Sequence, residues 1–222
     1  LSILAFARVE AVRLPSPGMS SPPSHTRPST AGSPLPLAPA HGTTPGWLHT
    51  AGTRIVDARG RTVRLAAVNW YGAELTDFVP GGLDTRPYMS ILRTIKYLGF
   101  NTIRLPISNE LVETDPVVWQ HLKANPSLRG HHALDILDRI LDGARRVGLM
   151  VVLVNQRNGA SGSRSAWSHD SLLWYSLPRY TQQRWIDDWV ALARRYRANP
   201  AVVGYDLRNE PHSDGPGLEV LG

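Results

Sequence analysis

Cysteine is absent from this chain of 222 residues. Neither a disulfide framework nor a thiolate metal site can therefore form from its own side chains. The chain also lacks any run of about 18 or more apolar residues, so the sequence predicts no membrane-spanning helix. Its first residues, LSILAFARVEAVRL, hold only a short apolar stretch that Arg8 and Glu10 interrupt, which is not the pattern of a complete signal peptide.

Acidic residues are fewer than basic ones, 18 against 24, which gives a formal net charge of +6 and a pI of about 10.1. Much of the excess is arginine, scattered over segments that read as exposed helix faces, at Arg145–Arg146, Arg194–Arg195 and Arg197. A basic patch for nucleic acid is one interpretation. A solvated helix face explains the same pattern and is favoured.

Residues 15–45 contain no aromatic side chain, yet they hold nine of the 18 prolines. Such a composition cannot bury enough apolar surface to offset the entropy of ordering the chain. We therefore expect residues 1–45 to be a disordered leader or linker rich in Pro, Ser and Thr. All seven tryptophans follow this segment, so the folded domain is predicted to span 46–222.

After Gly46, short apolar runs alternate with segments of helical periodicity. The predicted strands are RLAAVNW, NTIRLPI, LMVVLV and AVVGYDL, preceded by a hairpin with its turn at 58–60. The order β-α-β-α-β-α-β indicates a parallel α/β fold. This order suits either an open doubly wound sheet or half of a (β/α)8 barrel. No G-x-G-x-x-G follows the first strand, so a nucleotide cradle is not expected.

Polar side chains lie in or just after every predicted strand. Asn69 ends the first strand, Arg104 lies in the second, 155–157 end the third, and Asn209 and Glu210 end the fourth. Each alone has a plain explanation, such as a helix cap or a surface ion pair. Because the carboxyl ends of parallel strands meet at one rim, the four together predict a single polar site.

Glycoside hydrolysis is a reaction that suits an Asn–Glu pair at such a rim. It needs a proton donor beside the glycosidic oxygen and a second carboxylate across the sugar ring, about 5–5.5 Å away in retaining enzymes. Glu210 suits the first role. The amide of Asn209 can hydrogen-bond the sugar 2-hydroxyl, a contact that strengthens in the transition state.

Five motifs, in order, resemble glycoside hydrolase family 5, and specifically its endo-β-1,4-glucanase (cellulase) branch. They are VNWYGAE, LGFNTIRLPIS, LMVVLV with RNGASG after it, LLWYS, and NPAVVGYDLRNEPH. The resemblance runs from about Gly46 to His212. It implies a retaining (β/α)8 barrel in which Glu210 is the acid/base, Asn209 is its neighbour, and Arg104 helps to hold the nucleophile ionised.

The same resemblance assigns substrate-binding residues. Trp70, Trp174 and Tyr175 match aromatic positions near the family's cleft, where sugar rings stack on flat faces. Gln156 and His212 are assigned to substrate binding as well. No cofactor and no metal ion is implied.

Two departures from the family pattern bear on function. The family's third strand ends in an Asp-Arg-His-Arg-Pro-like run, and this chain has Gln156 at the position of the histidine. Glutamine can hydrogen-bond but does not titrate near neutral pH. The nucleophilic Glu belongs at the end of the seventh strand, and neither Asp214 nor Glu219 suits that place. The resemblance thus implies the N-terminal half of the domain, about four βα units, without the nucleophile.

Three hypotheses stay open at this stage. The first is a cellulase-like hydrolase that carries the acid/base, and the second is a non-catalytic carbohydrate-binding pseudoenzyme. The third, a nucleic-acid-associated domain, rests on the pI alone. We expect a polysaccharide or oligosaccharide partner, no nucleic-acid or membrane partner, and secretion, because linkers of this kind join modules in secreted polysaccharide-degrading enzymes. We also expect self-association through the open edges of the first and fourth strands.

Overall fold

The computed structural model describes residues 4–5, 47–160, 173–175 and 179–211. In chain order, its strands are β1 (Leu4–Ala5), β2 (His49–Ala51), β3 (Arg54–Val56), β4 (Ala67–Asn69), β5 (Thr102–Ser108), β6 (Val117–Val118), β7 (His131–His132), β8 (Met150–Arg157) and β9 (Val202–Asp206). Its helices are α1 (Tyr88–Tyr97), α2 (Asn109–Thr114), α3 (Ala133–Val147) and α4 (Gln182–Tyr196), with a 3-10 turn at Pro126–Leu128.

The main sheet distinguishes between the two folds that the sequence allowed. Its strands lie in the order β1-β9-β8-β5-β4, and the neighbours among β4, β5, β8 and β9 are parallel. These four strands therefore follow one another in space as they do in the chain. A doubly wound sheet would show a reversal of strand order. Sequential winding is the arrangement of a (β/α)8 barrel, and the described part contains four of its strands.

The three longer helices, α1, α3 and α4, lie between the parallel strands, as the predicted alternation requires, and their apolar residues recur at helical spacing. In α3, Leu134, Leu137 and Leu141 are buried against the sheet side, and the helix ends at Gly148, whose φ of +71° suits glycine. The helix α4 begins at Thr181, whose hydroxyl accepts a hydrogen bond from the backbone NH of Arg184 at 3.3 Å. No helix in the described ranges combines the length and apolarity that crossing a membrane requires.

Short elements are where the predictions differ from the structure. The first predicted strand, RLAAVNW, is shorter, at Ala67–Asn69, and α2 and the β6–β7 hairpin were not predicted. The predicted turn at 58–60 is present and is closed by a bridge between Val56 and Thr62. The hairpin formed by β2 and β3 lies before this turn in the chain. Elements of two to six residues carry too few periodic positions to be recognised from hydrophobic pattern alone.

One predicted open edge is partly covered. The strand β1 pairs antiparallel with the outer side of β9, with Leu4 opposite Asp206 and Ala5 opposite Tyr205. The expectation of a fully bare β9 edge is therefore wrong over these two pairs, because residues from the predicted 1–45 leader occupy it. The disorder predicted for the rest of that leader falls outside the described residues. Self-association through strand edges stays a prediction.

The side chain of Asn101 fixes the segment that leads into the short strand β4. Asn101 accepts a hydrogen bond from the backbone NH of Ala66 at 2.8 Å and donates one to the carbonyl of Arg64 at 2.7 Å. Its own backbone NH donates to the carbonyl of Ala66 at 3.0 Å. Asn101 thus joins the segment leading into β4 to the start of β5.

We predict that Asn101→Ala lowers the free energy of unfolding by about 1–3 kcal/mol, because two side-chain hydrogen bonds to backbone are lost. Urea denaturation measures the change. Thr85→Ala is the control, since the Thr85 hydroxyl makes one exposed, local hydrogen bond to Gly82 and its loss should cost less than about 0.5 kcal/mol. Equal effects of the two substitutions would contradict the role given to Asn101.

Candidate active site

Arg104 joins three of the parallel strands at their carboxyl-terminal rim. From its position in β5, its Nη2 donates to Asp206 Oδ2 at 2.7 Å and to Asn209 Oδ1 at 2.9 Å. Its Nε donates to the same Asp206 oxygen at 3.2 Å. Its Nη1 donates to Asn69 Oδ1 at 3.3 Å. The predicted residues Asn69, Arg104 and Asn209 therefore lie together, as strand topology requires.

Asp206 is the charge partner that makes Arg104 necessary at this position. Its side chain is 1% exposed, and that of Arg104 is 24% exposed. A carboxylate removed from water is costly unless a cation and hydrogen bonds compensate for the loss. Oδ1 of Asp206 has no hydrogen-bond partner among the residues described, so the described compensation comes through Oδ2 and Arg104. Asp206 was not predicted from the sequence as a site residue, although it lies in the strand motif GYDL.

Glu210 follows Asn209 at the same rim and is exposed. Its φ of +42° is in the left-handed region, which is uncommon for a residue other than glycine. Such conformations persist where the surroundings fix the backbone, and they occur often at functional sites. Here the backbone NH of Asn209 donates to the carbonyl of Asn155 at 2.9 Å, and its side chain is held by Arg104. The residue before Glu210 is thus fixed from two sides.

A third carboxyl group, Glu74, lies close enough to Arg104 and Arg157 for their charges to act on it, and it was not predicted from the sequence. It is buried, and its Oε2 accepts a hydrogen bond from the backbone NH of Gly72 at 2.6 Å. Burial raises the pKa of Glu74, while hydrogen bonds from the Gly72 and Glu74 amides and the charges of Arg157 and Arg104 act in the opposite direction. The usable signal was an acid in a glycine-containing loop directly after the first strand.

The loop after β4 explains where its aromatic residues point. The indole NH of Trp70 donates to the carbonyl of Gly81 at 2.8 Å, and the ring is 7% exposed. Trp70 is therefore part of the core and closes the loop, so the sugar-stacking role predicted for it does not suit its burial. The next residue, Tyr71, is 50% exposed.

Gln156, the position at which the resemblance led us to expect a histidine, lies at an irregularity in β8. Ile107 of β5 pairs with Asn155, but the next residue, Ser108, pairs with Arg157. Gln156 is therefore an extra residue in the ladder, half-buried at the end of the strand. Bulges of this kind redirect side chains and occur often beside active sites. The position is consistent with a site residue, while its binding role stays a prediction.

The predicted aromatic pair packs against helix α4. The ring of Trp174 stacks on Trp185 with centroids 5.2 Å apart and meets the edge of Tyr175 at 5.4 Å. Trp174 is half-buried and Tyr175 is 50% exposed. The indole NH groups of Trp185 and Trp189 both donate to the carbonyl of Leu207, each at 3.2 Å. The aromatic cluster therefore contacts the chain three residues before Glu210.

His212, the last predicted substrate-binding residue, lies outside the described residues. Among the residues that are described, no group of three or more His, Asp or Glu side chains is arranged to hold a metal ion.

The fold and the rim define a class: a parallel barrel-type α/β protein whose polar site lies at the carboxyl ends of its strands. A family model for cellulase (glycosyl hydrolase family 5) matches residues 56–220. The chain belongs to glycoside hydrolase family 5.

Individual relatives agree with this assignment. An endoglucanase of Paenibacillus polymyxa is 38% identical over 169 residues, which are 75% of this chain and 40% of that protein. The major extracellular endoglucanase of Xanthomonas campestris pv. campestris is 33% identical over 72% of this chain and 31% of its own. A solved endocellulase of Pyrococcus horikoshii, in complex with cellotetraose, has a TM-score of 0.68 at 30% identity, covering 80% of this chain and 46% of that one. The chain thus spans less than half the length of these relatives.

Gly72 provides a test of the loop that carries Tyr71 and Glu74. Its φ is +127°, and a Cβ atom there would lie 2.6 Å from the backbone nitrogen of Gly81 and 2.7 Å from the carbonyl oxygen of Val79. Gly60 also has a positive φ, +75°, but has open space around the Cβ position.

We predict that Gly72→Ala lowers the free energy of unfolding by at least about 3 kcal/mol, because backbone strain and a backbone clash add. Gly60→Ala should lower it by only about 1–2 kcal/mol, from strain alone. Urea denaturation of the two variants measures the difference. A Gly72→Ala variant as stable as Gly60→Ala would show that the loop is not closed as described.

Proposed function

We propose that this chain forms part of a retaining glycoside hydrolase that cleaves β-1,4-glucan linkages, with Glu210 as the general acid/base. The observation that carries the proposal is the Arg104 junction, which holds Asn209 against Asp206 and leaves Glu210 exposed beside it. An exposed carboxyl group next to a fixed amide is what protonation of a glycosidic oxygen requires.

The reaction follows from these positions. In the first step, an enzyme carboxylate attacks the anomeric carbon while Glu210 gives its proton to the glycosidic oxygen, and the bond between that oxygen and the anomeric carbon breaks. In the second step, Glu210 takes a proton from water, whose oxygen attacks the anomeric carbon and releases the enzyme carboxylate. The Asn209 amide holds the sugar 2-hydroxyl in both steps, and Arg104 fixes that amide.

The nucleophile of this scheme is not among the residues assigned here. The relatives have more than half of their length beyond the matched region, and we propose that the whole enzyme supplies the nucleophile from that remainder. Arg104, with its positive charge at the centre of the rim, is suited to keep such a carboxylate ionised.

The substrate class is proposed from the relatives and from exposed aromatic faces. Two relatives are endoglucanases, and a structural neighbour was solved with cellotetraose. Tyr71 and Tyr175, each half-exposed, offer flat apolar surface of the kind on which sugar rings stack. Secretion is part of the proposal, because the Xanthomonas campestris relative is an extracellular enzyme.

Two other functions have less support. A carbohydrate-binding pseudoenzyme is favoured by Gln156, which cannot titrate at a position where the family has histidine. A nucleic-acid partner is not favoured, because several helix arginines are paired with carboxylates. Arg145 and Arg146 both pair with Asp142, and Arg195 pairs with two aspartates of α3.

Glu210→Gln tests the acid role in the whole enzyme. We predict that kcat/KM on a soluble, unactivated β-glucan falls by a factor of about 10²–10⁴, because the leaving oxygen no longer receives a proton. The glycosylation rate on an aryl β-cellobioside with a good leaving group should change by less than about tenfold, since that group leaves without protonation. Steady-state and pre-steady-state assays on both substrates measure the split.

Glu110→Gln is the matched control. Glu110 follows β5, and its carboxylate accepts a hydrogen bond from the backbone NH of Ala160 at 2.7 Å, which glutamine can also accept. Activity on both substrates should stay within about twofold of the unmodified enzyme. Equal loss on both substrates in Glu210→Gln would remove Glu210 from the acid role.

A further inference from the structure

A chain of buried polar side chains lies outside the Arg104 junction and is not used by the proposed reaction. Arg208, Asn155, Asn109 and Asn158 are between 0% and 3% exposed. Asp188 of α4 lies at one end of this chain and is half-buried. Burying five polar side chains is costly unless their hydrogen bonds are satisfied, so their arrangement calls for an explanation.

The hydrogen bonds connect these side chains in series. Arg208 Nη1 donates to Asn155 Oδ1 at 2.8 Å and to Asn158 Oδ1 at 3.0 Å. Asn155 Nδ2 donates to Asn109 Oδ1 at 2.8 Å. Asn109 Nδ2 donates to Asp188 Oδ2 at 2.6 Å. We call the series Arg208–Asn155–Asn109–Asp188 the amide relay.

The charged groups at the two ends of the amide relay fix the orientation of the amides between them. A guanidinium group has donors only, and an ionised carboxylate has acceptors only. Each amide between them must therefore turn its oxygen toward Arg208 and its nitrogen toward Asp188. Rotating either amide by 180° would place donor against donor or acceptor against acceptor. While Asp188 is ionised, the relay has a single satisfied arrangement.

The relay contacts the segment that carries the proposed acid/base. Asn155 holds this segment twice, through its side chain to Arg208 and through its backbone carbonyl to the NH of Asn209 at 2.9 Å. Asn158 is joined to the first turn of α2, because its carbonyl accepts a hydrogen bond from the NH of Glu110 at 2.9 Å. Arg104 fixes Asn209 from β5, across β8, and the relay fixes the adjoining Arg208 from β8 itself.

We propose that the amide relay positions the Asn209–Glu210 segment, and that protonation of Asp188 loosens this positioning. The inference rests on the proposed function, since it gives Glu210 the acid/base role. The residues of the amide relay are positioning residues, because none of them is assigned a contact with the reacting atoms. A protonated carboxyl group can donate as well as accept, and its hydrogen bond from the Asn109 amide is no longer charge-assisted. The orientation of the amides is then fixed from the Arg208 end alone.

The surroundings of Asp188 set the pH at which its carboxylate is protonated. Burial raises the pKa of Asp188 to about 6, opposed by the hydrogen bond from Asn109. The charge of Glu113 on α2 and that of Asp187 on α4 raise it further, while Arg184 on α4 lowers it. Arg184 is itself paired with Glu113. The group also lines a surface pocket of about 330 Å³ between α2 and α4, so protons from solvent can reach it.

Acidification weakens the relay by protonating Asp188. Above about pH 6, Asp188 is ionised and the relay is ordered. At pH 5, only about a tenth of Asp188 is ionised, given a pKa of about 6. Turnover should therefore fall on acidification through pH 6. Asp188→Asn keeps an acceptor for Asn109 but cannot titrate, so it should remove this dependence.

The first measurement uses the chain itself and needs no activity. We predict that the side-chain amide resonances of Asn109 and Asn155 shift together with a midpoint near pH 6, followed by ¹H–¹⁵N NMR, and that Asp188→Asn abolishes the shift. Asp187→Asn is the matched control: Asp187 lines the same pocket but is hydrogen-bonded by Gln183 at 2.9 Å instead of Asn109. In that variant the shift should persist. A constant Asn155 resonance, or a shift that survives Asp188→Asn, would overturn the relay.

The second measurement uses the whole enzyme. Relative to Asp188→Asn, the unmodified enzyme should lose about threefold to tenfold in kcat between pH 7 and pH 5, with KM unchanged. Asp187→Asn should keep the loss. Superimposable profiles for Asp188→Asn and the unmodified enzyme would contradict control of Glu210 by the relay. If the acid role of Glu210 is wrong instead, the leaving-group split fails while the NMR titration still appears, so the two failures are distinguishable.

Asn109→Ala tests whether Asn155 senses the titration of Asp188 through the hydrogen bonds of the relay or directly through space. It interrupts the relay and leaves both charged side chains in place, although Asp188 loses its hydrogen bond from Asn109 and its pKa should rise. The Asp188 titration should then no longer reach the Asn155 resonance. A titration of Asn155 that persists in this variant would show that it senses Asp188 through space and not through the relay.

Discussion

The hydrogen-bonded ion pair between Arg104 and Asp206 is the interaction on which the rest of the site depends. The carboxylate of Asp206, at the carboxyl end of β9, is 1% exposed and needs a compensating cation. Arg104 reaches it from β5, across the intervening β8, and its remaining donors then serve Asn69 and Asn209. The cost of burying Asp206 is thus offset by the same group that organises the ends of three strands.

The Asn209–Glu210 segment is held by two arginines with different tasks. Arg104 contacts the side chain of Asn209 from within the sheet, and Arg208 connects the segment to α2 and α4 through buried amides. Guanidinium groups suit both tasks, because their donors point in several fixed directions at once. A lysine would satisfy the charge at either position but not the geometry. The left-handed φ of Glu210 persists because the residues before it are fixed in this way.

How much of this could be predicted from sequence depends on the length of the pattern involved. The strands β5, β8 and β9 and the helices α1, α3 and α4 have enough periodic positions to be recognised, and their order places Asn69, Arg104 and Asn209 at one rim. Trp70 was assigned to sugar stacking from the family resemblance, which does not show that its NH closes a loop on Gly81 or that the residue is 7% exposed. Asp188 and Asn109 were missed because they meet only through tertiary packing, 79 positions apart. Glu74 was missed because its loop has no periodicity.

A double-mutant cycle on Arg104 and Asp206 is the most direct test of the central claim. Unfolding free energies at pH 7 would be compared for Arg104→Met, Asp206→Asn and the double variant. Arg104→Met alone should cost about 3–5 kcal/mol, because it leaves a buried carboxylate without its cation. The double variant should recover at least about 2 kcal/mol of the summed single effects. Effects that add within about 0.5 kcal/mol would show that the two side chains are not coupled and would contradict the account of the site.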